Sequence, residues 1–291
     1  MQQLMYVPPG GSPEDMEHSV ILAAKEPFLL TTVSGLGGME ADVISSEIVG
    51  MDGELYQGMR KGARPVKCTV TVAGRNRSDM YSEKLRLIGL LRKPPGKKTG
   101  TLYYTNDNIT VRIGAVPVMS GDFKKRIINY NEAEIEFYCP DPDWQSPNET
   151  QVSITCEEGI GLSFPTELNN IILGRTFNEL DIDYTGTAPT PVTIAISGPT
   201  ETPVITNETV GKSIRLTQTL NSGELLIIRT QKGQKSVKLF TDDSETDAFG
   251  YLSPTSQFWN LIPGVNHIVY GDGGQAQTSV QIKFNTRYEG V

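Results

Sequence analysis

The chain has 291 residues, enough for two ordinary domains or one large all-β domain, and at 37% hydrophobic it lies well above the disordered regime. No apolar run approaches the roughly 18 residues needed to span a bilayer, and the opening MQQLMYVPPGGSPEDMEHS lacks the charged-then-apolar pattern of a secretory signal, so folding in a cytoplasm is expected. The net charge of −8 argues against nucleic acid as the principal ligand, and it is uneven: residues 1–146 carry 17 Lys/Arg against 18 Asp/Glu, residues 147–291 only 9 against 16.

In chain order, residues 1–20 read as a polar, Pro- and Gly-rich leader that orders only against a partner. Glu26 to Gly38 reads as a short strand ending in a glycine turn. A hairpin follows, ADVISSEIVG and ELYQG joined at Asp52-Gly53, a pairing that signals a tight turn because its central residues take φ > 0. Val66, Cys68, Val70 and Val72 then alternate with Lys67, Thr69 and Thr71, which predicts a strand with one buried face. The spacing next predicts a helix over about 78–92, capped by Ser78, with Tyr81, Leu85, Ile88 and Leu91 or Leu87 as its apolar stripe and Pro94-Pro95-Gly96 as its stop. Strands resume with TGTLYYT, NITVRIGAVPVMS and RIINYNEAEIEFYCPD.

Pro140-Asp141-Pro142-Asp143-Trp144 ends regular structure and SPNET reads as a linker, so a domain boundary is expected near residue 146. Beyond it only strand signals occur, including VTIAISG, KSIRLTQTL, ELLIIRTQ, KSVKLFT, NHIVYG and TSVQIKFNTRY, with tight turns at Asn221-Ser222-Gly223 and Gly271-Asp272-Gly273-Gly274. The fold class is therefore mainly β: a sandwich-like domain with one helix and a long hairpin over 1–146, and a β-sandwich over 147–291.

Chemistry-bearing residues are sparse. Cys68, Cys139 and Cys156 are odd in number and lack CxxC spacing, so each reads as a small buried hydrophobe. His18 and His267 assemble neither a metal site nor a catalytic triad. Asp141 and Asp143 flank Pro142 without a third ligand and read as turn formers. Gly35-Leu36-Gly37-Gly38 lacks the spacing and lysine of a phosphate cradle and reads as a plain turn. Asn108, Asn148 and Asn207 open glycosylation-type triplets that carry no weight without a secretory signal. Arg92, Lys93, Lys97 and Lys98 make a basic patch, either a solvated turn or a contact for an acidic neighbour. Phe258-Trp259-Asn260-Leu261 reads as an aromatic plug at one end of the sandwich, with Trp259 as the candidate peripheral contact should it face a sugar. No cofactor, metal ligand or catalytic set is expected.

The order of these motifs resembles the distal tail protein family of siphophages. The likeness runs through Pro27-Phe28 and Gly35-Leu36-Gly37, Asp52-Gly53, the basic stretch entering the alternating strand, and the helix with Tyr81, Leu85-Arg86-Leu87-Ile88 and Leu91. It continues through Gly100-Thr101-Leu102-Tyr103-Tyr104 and is most specific at Phe137-Tyr138-Cys139-Pro140-Asp141-Pro142-Asp143-Trp144. In the second half it rests on layout and on Phe258 to Asn266. The resemblance implies a non-enzymatic role: a homo-hexameric ring at the virion tail tip, joining the tail tube to the tip or baseplate, with DNA only as passing cargo. It also implies a galectin-like carboxy-terminal sandwich that holds adhesion or receptor-binding components, and neighbours such as a tape-measure protein, tail-associated lysin or tail fibre. Candidate subunit-interface residues are Val43, Ile44, Ile48, Asp52, Gly53, Leu55 and Tyr56 of the hairpin. The polar Asn/Arg cluster of a sugar-binding galectin is missing around His267, which favours a scaffold sandwich. The alternatives are a carbohydrate-binding or adhesion module without a ring role, and a tail-associated hydrolase, for which no carboxylate pair or nucleophile–base set can be named.

Overall fold

The structure is a computed structural model that describes residues 2–50, 52–155, 178–242, 244–271 and 278–291. Two compact units emerge: Met1–Pro147 with Tyr288–Val291, and Asn148–Arg287. The last four residues thus group with the first unit, a point the sequence leaves open. Cys156 and the residue 272–274 turn lie outside the described residues.

The first unit contains β1 (Gln3–Val7), β2 (Val20–Ala23), β3 (Phe28–Ser34), β4 (Ala41–Glu47), β5 (Glu54–Lys61), β6 (Arg64–Ala73), the helix α1 (Arg77–Leu90), β7 (Gly100–Thr105), β8 (Thr110–Ile127), β9 (Tyr130–Cys139) and β10 (Trp144–Gln145). Its main sheet runs β10-β8-β7-β1-β2-β3-β6-β9, and β9 also pairs with β8, so the strands close on themselves. Mainly β with one helix is as expected; a closed barrel replaces the sandwich-like arrangement. Closure leaves few free edges and aims alternate residues inward: Val66, Cys68, Val70 and Val72 on β6 meet Ile135 and Phe137 of β9 in one core. Fully burying each such aliphatic side chain stabilises the unit by about 1.5–3 kcal/mol.

Two expectations are corrected. The supposed polar leader contributes β1, which lies between β2 and β7 with Leu4 and Tyr6 buried. Five residues suffice because both neighbours supply hydrogen bonds. The helix begins at Arg77 and is capped by Asn76, whose Oδ1 accepts from the Asp79 N–H at 2.9 Å. Its buried residues are Met80 and Leu87, followed by Leu91 at the C-cap; Tyr81, Leu85 and Ile88 face outward, with Leu85 70% exposed.

Arg64, at the start of β6, is 1% exposed. Its Nε donates to the Pro142 carbonyl at 2.5 Å, Nη1 to the Gly35 and Gly37 carbonyls at 2.7 and 2.6 Å, and Nη2 to the Glu289 carbonyl at 2.6 Å. Burial pulls the guanidinium below its ordinary value, while Asp143, Cys139 and Glu289 oppose that shift; arginine stays protonated regardless. Next to it, Lys61 Nζ bridges Asp143 at 3.2 Å and Glu289 at 2.5 Å. The glycines are required here. Gly35 has φ +87° and a Cβ would lie 2.2 Å from the Pro65 carbonyl oxygen; at Gly290 a Cβ would meet Gly37 backbone at 2.7 Å.

The second unit carries β11 (Thr150–Thr155), β12 (Asn178–Tyr184), β13 (Thr190–Pro191), β14 (Thr193–Ser197), β15 (Val204–Asn207), β16 (Lys212–Arg215), β17 (Leu225–Arg229), β18 (Ser236–Phe240), β19 (Glu245–Asp247), β20 (Asn260–Leu261), β21 (Gly264–Gly271) and β22 (Ser279–Phe284). A six-stranded sheet, β11-β22-β14-β17-β18-β19, and a four-stranded sheet, β12-β21-β15-β16, contribute to one core that includes Ile194, Ile196, Ile228, Ile268, Ile282 and Trp259. On the solvent face His267 stands opposite Asp181 across β12 and β21, Nδ1 to carboxylate oxygen 2.6 Å, with Glu179 and Glu208 at 3.7 and 3.9 Å from Nε2. The hydrogen bond to Asp181 raises the imidazole above its ordinary value; desolvation opposes the rise, and the charges of Asp181, Glu179 and Glu208 add to it.

Two outcomes follow. Arg64→Ala removes four hydrogen bonds to main-chain carbonyls and should destabilise the first unit by about 2–4 kcal/mol in denaturant unfolding; Arg64→Lys should recover little, because one ammonium cannot reproduce the fork. The His267 ring should titrate above an ordinary histidine by NMR, and Asp181→Asn should lower that midpoint. Because the folded value is raised, the stabilisation from this pair is complete below the unfolded pKa and is lost as pH rises through the folded one.

Candidate assembly surface

The hairpin grows from a fixed base. Arg64 and Lys61 hold its root to the Pro142-Asp143 segment and to Glu289, so the PDPDW motif acts as an anchor: Pro142 accepts from Arg64, Asp143 pairs with Lys61, and Trp144 is buried in the barrel. Asp141 accepts from the Asp143 N–H and from Gln145, the turn role expected of it. Beyond the root, β4 and β5 pair only with each other as a separate two-stranded sheet.

The register runs Ala41↔Lys61, Asp42↔Arg60, Val43↔Met59 and Ile44↔Gly58, then shifts to Ser45↔Tyr56, Ser46↔Leu55 and Glu47↔Glu54. Gln57 is the extra residue of this bulge, which increases the local twist. The connection spans residues 48–53 and is longer than the two-residue Asp52-Gly53 turn expected; positive φ falls on Gly50 and Gly53. Val43, Tyr56 and Met59 share one face and Ile44 and Leu55 the other, while Ile48 and Val49 lie at the tip; all seven are exposed. Asp52 and Gly53 are exposed at the tip as well. A two-stranded hairpin is marginal in water on its own, and this one leaves apolar side chains uncovered on both faces.

Val49, Met59 and the facing pair Glu47/Glu54 escaped sequence reading. Val49 lies inside the run ADVISSEIVG and Met59 just beyond ELYQG, and neither stands out as a contact residue in the sequence. The carboxylate pair depends on a register that the bulge sets.

Arg92, Lys93, Lys97 and Lys98 are all exposed on the turn after α1. Trp259 corrects the candidate peripheral contact: it is 1% exposed and belongs to the second unit's core. The motif around it is structural. Asn266 accepts from the Ile262 N–H at 3.0 Å and donates to the Ile262 and Gly264 carbonyls at 2.7 and 3.0 Å, while Gly264 supplies φ +95°. Leu261 is buried beside it.

Cys68 and Cys139 are free and buried, with burial pushing each thiol up to about 12. Among the described residues no group of three or more His, Cys, Asp or Glu is arranged to hold a metal ion, and no helix is long and apolar enough to cross a membrane. Gly35-Leu36-Gly37 cradles a guanidinium, and its carbonyls point where a phosphate would need N–H groups.

Comparison with known proteins agrees with this layout. Residues 17–139 match the family described as "Phage tail protein RIFT-related domain", and residues 185–288 match "Siphovirus-type tail component, C-terminal domain". Among solved structures, the Dit protein of phage SPP1, described as a paradigm of hub adsorption apparatus in Gram-positive infecting phages, aligns over 99% of both chains with TM-score 0.67 and 16% identity. A chain of the phage P2 baseplate aligns over 100% of this chain and 99% of its own with TM-score 0.51 and 12% identity. Nothing among curated proteins matches. The two matched segments span most of the chain in the order of its two units, and the chain belongs to the siphophage distal tail protein family, structural proteins of the phage tail hub.

Proposed function

We propose that the chain is a ring-forming hub of the tail tip, with six copies joined head to tail around a channel through which DNA passes. The first unit makes the ring and meets the tail tube, and the second holds adhesion or receptor-binding components. The observation that carries this reading is the hairpin Ala41–Lys61: rooted rigidly at Arg64, uncovered on both faces, and apolar from Val43 to Met59. Exposed apolar surface of this kind marks an interaction site. Its 21 residues match the roughly 20–30 that each side of a standard interface contributes.

The role is architectural and uses no catalytic step. The charge split supports the same division of labour, since a near-neutral half suits repeated subunit contacts and an acidic half stays soluble at the periphery. Neighbours of this class are a tail tube protein, a tape-measure protein or tail-associated lysin, and fibre or receptor-binding proteins, all made in the host cytoplasm and assembled into the virion tail. A glycan-binding module is disfavoured because its aromatic contact, Trp259, is buried.

Light scattering after gel filtration should give a hexamer, or a concentration-dependent ring. Deleting residues 50–54 should leave folded monomers, with circular dichroism and thermal unfolding little changed. An unchanged hexamer in the deletion variant would remove the hairpin from the interface.

A further inference from the structure

A head-to-tail ring needs two different surfaces on each copy, one inserted and one receiving. The hairpin supplies the first. From root to tip come the apolar Leu55 and Tyr56, then the facing pair Glu47 and Glu54, then Asp52 together with the apolar Ile48 and Val49. Like charges directly opposite each other on a two-stranded sheet are destabilising. Neither Glu47 nor Asp52 has a cationic partner among the described residues, and Glu54 is met only by the Ser45 hydroxyl.

A surface of the opposite charge lies in the same unit. Tyr81, Leu85 and Ile88 follow i, i+4, i+7 along the outer face of α1, which ends at Leu90 and leads into a turn. On that turn Arg92, Lys93, Lys97 and Lys98 are exposed and without an ion pair among the described residues. The helix spans roughly 20 Å at 1.5 Å per residue, long enough to receive the outer part of the hairpin. The two surfaces also arise at different places: the hairpin precedes the N-terminal end of β6, and α1 follows its C-terminal end roughly 30 Å away.

We infer that the occupant of the α1 face is a second copy of this chain: the hairpin of one subunit lies along Tyr81, Leu85 and Ile88 of the next, with Glu47, Asp52 and Glu54 against Arg92, Lys93, Lys97 and Lys98. This rests on the ring reading above. Tip-to-tip pairing between identical copies is opposed, because it brings six carboxylates together. Charge complementarity favours the unlike pairing and gives it direction.

The test uses full-length chains with two sets of charge reversals. Glu47→Lys/Glu54→Lys makes the tip basic, and Lys93→Glu/Lys97→Glu/Lys98→Glu makes the turn acidic. All five positions are exposed, so both variants should fold as the wild type does. Each alone should associate at least 10-fold more weakly than wild type by sedimentation, because its tip and turn then carry like charge. Mixed in equal amounts they should reassemble to wild-type mass, since an even-membered ring can alternate the two and every interface is again complementary. Leu85→Asp should be monomeric and folded.

If either charge variant, or Leu85→Asp, keeps the wild-type ring, the pairing is wrong and the ring reading stands. If both charge variants fall apart and the mixture fails to recover, the pairing is wrong in its charge register and the ring again stands. A wild-type chain that remains monomeric at every concentration overturns both.

Discussion

The buried guanidinium of Arg64 is the constraint on which the rest of the first unit depends. A cation taken out of water costs several kcal/mol unless it is fully hydrogen-bonded. Here four backbone carbonyls, of Gly35, Gly37, Pro142 and Glu289, receive it, with Asp143 and Glu289 close enough to oppose the loss of charge. Those carbonyls come from three segments far apart in sequence: the turn after β3, the segment after β9 and the C-terminal tail. None has a strand ladder of its own at that point, so one side chain replaces many backbone bonds. Gly35 and Gly290 are glycines because the carbonyls cannot converge on one guanidinium if a Cβ stands between the chains.

From that root the unit divides its apolar residues between two tasks. The barrel interior, from Leu4 to Trp144, is closed to solvent and accounts for the unit's own stability. The hairpin and the outer face of α1 keep theirs outside, where they add nothing to the isolated fold. An apolar side chain left in water forgoes about 1.5–3 kcal/mol, and that unrealised free energy is available to association. Fixing the hairpin base beforehand lowers the ordering cost of binding, which matters because that cost consumes much of what buried area would otherwise give.

How far the sequence reveals this depends on whether a residue's role is local. Strand β6 was legible because Val66, Cys68, Val70 and Val72 alternate without interruption, and the hairpin because two apolar runs flank a glycine turn. The barrel's closure was not, since the β8–β9 pairing bends around bulges that alternation does not record. The helix shows the ambiguity most clearly. Met80, Leu87 and Leu91 make one apolar stripe and Tyr81, Leu85 and Ile88 another; periodicity identifies both, and only the barrel beneath decides which is buried. Trp259 is similar: an aromatic beside a Pro-Gly turn fits a plug or a platform until Asn266 is seen bracing the turn. Arg64 was invisible as anything but one basic residue among several, because its partners are main-chain atoms. The family resemblance reached further than the residue-level reading because it used the order of motifs, which preserves tertiary information that single segments lack.

An uncovered hairpin must remain soluble until it meets its proper surface, and its sequence shows how. Two free strand edges with apolar faces would ordinarily recruit any other edge. Here the Gln57 bulge twists the edges, and the ends carry charge: Asp42 and Arg60 near the root, Glu47, Asp52 and Glu54 near the tip. The facing carboxylates weaken the lone hairpin slightly, yet the same repulsion keeps identical tips apart. A surface that repels itself and is apolar enough to bind can be satisfied only by something unlike it. That combination selects directional contacts over symmetric ones, which is the physical requirement for a closed ring.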